Sequence, residues 1–184
     1  MKWNECKKLI AHDYSNTGGQ RNLLRFFLSV LRNDSFMLIF WFRIGSFLKD
    51  KTGFYHLLYF VVKQIYRHYQ FKTGRQLPIG TSVKGGLRFV HWGTVVISVH
   101  AIIGENCTIL HGVTIGKTHK GTPIIGNNVT IGAHSLVIGP VRIGDNVCIG
   151  AGSVVVHDVP CGGVVVGNPA SLISNRGDIE RKGY

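Results

Sequence analysis

Two histidines stand where an imidazole could do chemistry. His91 opens the step "HWG" and His111 the step "HGV" twenty residues further on, each directly preceded by an aliphatic residue. An imidazole with an ordinary pKa near 6.5 can take a proton from a hydroxyl and return it at neutral pH, as a general base must. His91 is also out of keeping with its neighbours. From Ile97 onwards an isoleucine or valine falls on every sixth residue, and the same beat counted backwards lands on His91, a polar ring where an aliphatic side chain is expected. The other histidines have plainer settings. His12, His56 and His68 lie in a helical segment, and His100, His134 and His157 fall at outward repeat positions, where exposed or hydrogen-bonded rings are expected.

The beat that makes His91 conspicuous also sets the fold. It runs Ile97, Ile103, Ile109 and Ile115, then after a step of ten continues with Ile125, Ile131, Val137, Ile143, Ile149 and Val155. Glycine follows it at 104, 116, 126, 132, 144 and 150, and four places after it stand small or aliphatic residues such as Ala101, Cys107, Val113, Val129, Ser135, Val141, Val147 and Ser153. Two inward positions and a turn in every six residues describe a short strand and a corner. A single coil of such units cannot bury its own inward face, so coils must stack into a parallel β-helix. β-Branched residues suit the stacked strands and glycine the corners. Three hexapeptides close one coil, so His91 and His111 are expected near one another on adjacent coils. Cys107 and Cys148 are read as inward core residues.

The chain before the repeat has a different grammar. All five prolines and 19 of the 24 glycines lie after residue 76, which leaves residues 1–76 free to be helical. "RNLLRFFLSVLRND" reads as an amphipathic helix ending near Asn33, "DSFMLIFWFRIGSFLKD" as a second helix capped by Asp34 or Ser35, and a third is opened by Thr52. The expected organisation is an α-helical N-terminal segment over 1–76, a β-helix domain over 77–172 and a tail over 173–184. Base is concentrated in the first of these, with 13 Lys/Arg against 4 Asp/Glu, compared with 8 against 5 in the remainder. Such clustering suggests an anionic partner or a solvated helix face. Trp41, Phe36, Phe40 and Phe42 among basic residues suggest peripheral membrane contact through residues 21–72, with helix or subunit packing as the alternative. The uncharged run between Asp34 and Arg43 has eight residues, short of the roughly 20 needed to span a bilayer. Four cysteines without CxxC spacing and no leader-like N-terminus suggest a reduced, cytosolic protein. No nucleic-acid motif is present, so no nucleic-acid partner is expected.

The units "IIGENC", "VTIGKT", "IIGNNV" and "VRIGDN", with "FVHWGTVVI", "CTILHGVTIG" and the closing "VVGNPA", resemble the hexapeptide-repeat acetyltransferases. More narrowly they resemble the serine acetyltransferase branch and its relatives in colanic-acid and capsule biosynthesis. The resemblance implies a mainly β fold, a left-handed parallel β-helix preceded by an α-helical segment, assembled as a homotrimer with sites between neighbouring β-helices. It implies acetyl-CoA as co-substrate, held along the C-terminal coils by Gly132, Ala133, Gly150, Ala151, Gly152, Gly167, Asn168 and Pro169. It also implies that His91 takes the proton from an acceptor hydroxyl attacking the thioester, with His111 beside it. Direct attack of this kind needs no covalent acyl-enzyme, in keeping with the absence of a plausible activated Ser or Cys.

Departures from the serine-specific pattern bear on the acceptor. A carboxylate ordinarily precedes the base, and here that position is Val90; the carboxylate fifteen residues before it corresponds to Gln76. The loop after "GVTIG" reads "KTHKGTP", without the usual Arg-His, leaving Lys117 and His119, together with Trp92, as candidate acceptor contacts. An acceptor lacking an amino acid's charges is therefore expected, a sugar of a surface polysaccharide or its precursor, with serine as the alternative. No metal is expected. Zinc catalysis uses three protein ligands, His91 and His111 supply two, and position 106, where a hexapeptide carbonic anhydrase would have a further histidine, is asparagine.

Overall fold

The computed structural model describes residues 1–16 and 33–176. Three helices precede the repeat: α1 (Trp3–Asn16), α2 (Asp34–Leu48) and α3 (Phe54–Thr73). The helix expected from residue 21 lies almost wholly outside the described residues. The start of α2 differs from the expected one by a residue. Asn33, in extended conformation, is the N-cap, and its Oδ1 accepts a hydrogen bond from the Phe36 N–H at 3.0 Å. Nor does Thr52 cap α3, whose N-cap is Gly53 with no side-chain hydrogen bond.

From Arg75 the chain winds through three faces. One sheet carries β1 (Arg75–Gln76), β4 (Val95–Ile97), β7 (Thr114–Gly116), β10 (Leu136–Ile138) and β13 (Val154–Val155); the second carries β2 (Ser82–Val83), β5 (Ile102–Ile103), β8 (Ile124–Ile125) and β11 (Arg142–Ile143). The third carries β3 (Arg88–Phe89), β6 (Thr108–Ile109), β9 (Thr130–Ile131), β12 (Cys148–Ile149) and β14 (Val164–Gly167), closed by β15 (Ala170–Ser174). Among the described residues every strand-to-strand pairing is parallel except that of β14 with β15, so residues 170–174, assigned partly to a tail, form a return strand on the last coil. The fold is a left-handed β-helix of hexapeptide repeats behind a helical segment. All ten beat residues from Ile97 to Val155 are buried, as are the eight small residues named with them, and all but Ser135 and Ser153 belong to one continuous apolar core. Burial of this aliphatic column, at about 25 cal/mol per Å² of apolar surface, is the main force holding the coils together.

Counting the beat back to His91 does not survive this register. Phe89 pairs with Ile109 and Val83 with Ile103, so the inward positions of the first coil are Val83 and Phe89, both buried. Residues 90–94 separate Phe89 from the next inward residue, Val95, whereas residues 110–112 separate Ile109 from Val113. The first corner is therefore longer by two residues, and His91 rides on that excess, exposed. Cys148 likewise precedes its beat residue, Ile149, and is buried on the other face of the strand.

A buried ion pair fastens the helices to the repeat. Arg43 of α2 donates from Nε to Asp13 Oδ2 at 2.8 Å, and from Nη1 and Nη2 to the carbonyls of Val83 and Lys84. Asp13 Oδ1 accepts from the Arg43 Nη2 and from the backbone N–H groups of Gly86 and Leu87. Burial of two charges is tolerated because nearly every donor and acceptor is matched. Tyr66 of α3, its phenol pushed up by burial, donates to the Leu77 carbonyl. Two of the aromatics proposed for membrane contact, Phe36 and Phe42, are buried in this packing, and Phe40 and Trp41 are half-buried. Phe36 and Phe40 pack within the helical segment, and Phe42 and Trp41 pack into the core it shares with the β-helix. Among the described residues no helix is long and apolar enough to cross a membrane.

Candidate active site

The corner that follows the third face gathers most of the candidate residues. On successive coils it is made by 90–94, 110–112, 132–134 and 150–152, and the coils are stitched by His134 N–H to the His111 carbonyl at 2.9 Å and Gly152 N–H to the Ala133 carbonyl at 2.8 Å. His91 and His111 meet edge to face with ring centroids 6.0 Å apart. A third ring extends the row, because His134 stands edge to face with His111 at 4.9 Å. His91 and His134 are exposed, while His111 is half-buried between them, its Nδ1 enclosed and without a hydrogen-bond partner among the described residues.

Two glycines make the close stacking of this row feasible. A Cβ on Gly93 would lie 2.7 Å from the His111 Cβ, and one on Gly112 would lie 2.3 Å from His134 Nδ1. Both also have positive φ, +143° and +74°, a region unfavourable to residues with a side chain. His91 itself has φ +63° and His134 +59°, so the two outer imidazoles are displayed from left-handed backbone.

His134 was the residue missed in the sequence, where it looked like an ordinary outward position. The signal was available. Ile109 pairs with Ile131, a coil of 22 residues because of the insertion at 117–120, and carrying that shift to the corner brings residues 133–134 over His111. Two further features flank His91. Trp92 is 65% exposed beside it. Behind it, buried Arg75 donates from Nη2 to the His91 carbonyl at 2.6 Å. Burial lowers the Arg75 guanidinium to about 10, against the opposing pull of Asp34. No Asp or Glu lies between Asp50 and Glu105, so the coil bearing His91 offers its ring no carboxylate.

The residues assigned to the co-substrate line the same corner. Gly132 and Ala133 lie directly beside His111 and His134, Ala151 and Gly152 are exposed one coil further, and Gly167, Asn168 and Pro169 form the exposed turn from β14 to β15 beyond them. Lys117 and His119 do not join this group. They are exposed on a small excursion, closed by the Thr118–Gly121 bridge, that leaves β7 at the next corner of the prism. Asn106, at the position considered for a metal-binding histidine, contacts His12 Nε2 through Oδ1 at 2.8 Å. Among the described residues no group of three His, Cys, Asp or Glu is placed to hold a metal ion.

Fold and site together define a hexapeptide-repeat transferase, and residues 122–157 match the family described as bacterial transferase hexapeptide (six repeats). The relatives narrow this. A serine acetyltransferase of Helicobacter pylori is 38% identical over 120 residues, covering 63% of this chain and 70% of that protein. The chloroplastic serine acetyltransferase 1 of Arabidopsis thaliana is 46% identical over 101 residues, 53% of this chain and 32% of its own length. Among solved structures, the Neisseria gonorrhoeae serine acetyltransferase in complex with serine superposes with a TM-score of 0.75 at 30% identity, over 94% of this chain and 70% of that one. The chain belongs to the serine acetyltransferase family.

This corrects the expected acceptor. The sugar reading, and with it the colanic-acid and capsule branch, rested on the missing loop Arg-His and on Val90, whereas the relatives and structural neighbours are consistently serine acetyltransferases. The physical reason is that the loss of charged groups from one loop leaves the rest of the surroundings free to meet a charged acceptor, so the deletion does not exclude one.

Proposed function

We propose that the protein is an acetyl-CoA-dependent serine O-acetyltransferase with His91 as its general base. The observation that carries this reading is the shared corner: an exposed imidazole stands in line with the small residues Ala133, Ala151 and Gly152 and the turn at 167–169, in a chain of this family. His91 takes the proton of the serine hydroxyl while that oxygen attacks the thioester carbonyl. The tetrahedral adduct then collapses, the carbon–sulfur bond breaks, and the imidazolium gives its proton to the departing thiolate. The products are O-acetylserine and CoA, and no protein nucleophile is consumed. His111, edge-on to His91, limits rotation of the base.

Acetyl-CoA runs along the corner from Gly132 towards Pro169 in this reading. Support comes from the lack of bulk there: among the described residues a Cβ built on Gly152 meets nothing within 4 Å. The protein acts as a homotrimer of parallel β-helices, in which the 117–123 excursion of one protomer faces the histidine corner of its neighbour. Lys117 and His119 then meet the serine carboxylate, and Trp92 walls the acceptor pocket.

Release of CoA thiol on addition of L-serine to purified protein and acetyl-CoA tests the reading. His91→Ala should lower kcat by about 100-fold or more, the scale of a positioned acid-base group, with little change in acetyl-CoA binding. Absence of serine-dependent release, or near-normal turnover by the variant, would overturn it.

A further inference from the structure

We propose that Arg75 is a positioning residue for His91, clamping the backbone that displays the base; this rests on the reading of His91 as base. Arg75 is the first residue of β1, directly after Gly74 ends α3, and it ranks among the largest fully buried side chains. A buried cation ordinarily has a carboxylate partner, because desolvating it alone is costly. Arg75 makes no ion pair among the described residues, and the nearby Asp34 carboxylate is engaged by Lys72 at 2.8 Å. Its guanidinium instead lies 4.9 Å over the Phe89 ring, donates from Nη1 to Ser35 Oγ at 2.6 Å and from Nη2 to the His91 carbonyl at 2.6 Å.

The target of the second bond is informative. His91 sits in the corner that is longer by two residues, with φ +63°, so the packing of the aliphatic column does not by itself fix its backbone. Val90 N–H still bonds to the Ile109 carbonyl, and the ladder between coils is taken up again by the Thr94 carbonyl with Gly112 N–H. Arg75 holds the carbonyl between those two points. Its other arm reaches the first turn of α2, so the base is referenced to the helical segment as well as to the coil beneath it. A planar fork can satisfy two acceptors in fixed directions at once, which a lysine ammonium in the same space cannot. The first turn of α2 thereby becomes part of what supports the base.

Three variants test this: Arg75→Met, Arg75→Lys and Ser35→Ala, each assayed for kcat, for the acetyl-CoA KM and for the ring resonances of His91 and exposed His157 by NMR. For Arg75→Met a fall in kcat of about 30-fold is expected, as for a misplaced catalytic group, with the acetyl-CoA KM within about twofold. His91 resonances should shift or broaden while those of His157 stay in place. Arg75→Lys should recover only part of kcat, and Ser35→Ala, which loosens the fork while leaving it present, should cost about threefold. Folded Arg75→Met with wild-type kcat and unmoved His91 resonances would overturn the proposal. If that variant does not fold, Ser35→Ala with wild-type kcat and resonances would do so. The resonances need no acceptor, so they decide the role of Arg75 even if L-serine proves not to be the substrate.

Discussion

At the residue scale the site is a row of imidazoles whose spacing depends on what is absent between them. His91, His111 and His134 approach to 6.0 and 4.9 Å only because the intervening backbone at Gly93 and Gly112 carries no Cβ. Gly112→Ala places its methyl group against His134 Nδ1 in a φ region that alanine resists. It should cost about 1–3 kcal/mol of stability, as strained left-handed positions do, and displace His111 from its place beside His91. Thermal unfolding and kcat measured together check this: both should fall, and an unchanged kcat would separate the row from catalysis. The pair His91 and His111 was legible in the sequence because three hexapeptides make a coil. His91 does not occupy a beat position, however, since Phe89 keeps the beat and His91 rides on two extra residues. Corner insertions carry no periodic signal, which is also why His134 escaped notice.

At the element scale the repeat was legible almost in full, because an inward aliphatic every six residues is forced by the need to fill a narrow column. The helix starts were read less well: Asn33, not Asp34 or Ser35, caps α2, and a single cap is a local hydrogen bond that several adjacent polar residues could make. Attachment of the helices to the coils could not be read at all. Asp13 and Arg43 are thirty residues apart, and nothing in their spacing announces a pair that is also bonded to the backbone at 83–87. Asp13→Ala leaves the Arg43 guanidinium buried without its counter-charge and two backbone N–H groups without an acceptor. It should destabilise the protein by about 3–5 kcal/mol, the usual cost of breaking a buried pair from one side. Denaturant unfolding would show this as a lower midpoint; a loss under about 1 kcal/mol would mean the attachment rests on apolar packing instead.

At the scale of the whole molecule the proposed site is divided between protomers. Within one chain the histidine corner and the excursion carrying Lys117 and His119 lie on different edges of the prism, so one protomer cannot easily apply both to the same acceptor. A homotrimer with a heterologous, ring-closing interface applies the same two surfaces to each other three times over. Complementation follows from that geometry. His91→Ala protomers keep a normal loop, and Lys117→Ala/His119→Ala protomers keep a normal base, so a mixed trimer contains interfaces at which the two intact parts meet. Purification through both tags leaves only mixed trimers, in each of which about one site in three should be whole, and activity should rise well above the mean of the two parents. The comparison is made on co-expressed, differently tagged chains purified through both tags, with L-serine as acceptor. Activity no higher than the parental mean would place base and loop in the same protomer and remove the shared site. The loop variant alone should lose mainly kcat/KM for serine, because in the proposed trimer Lys117 and His119 meet the acceptor and not the thioester. A loss confined to acetyl-CoA binding would move Lys117 and His119 to the other substrate.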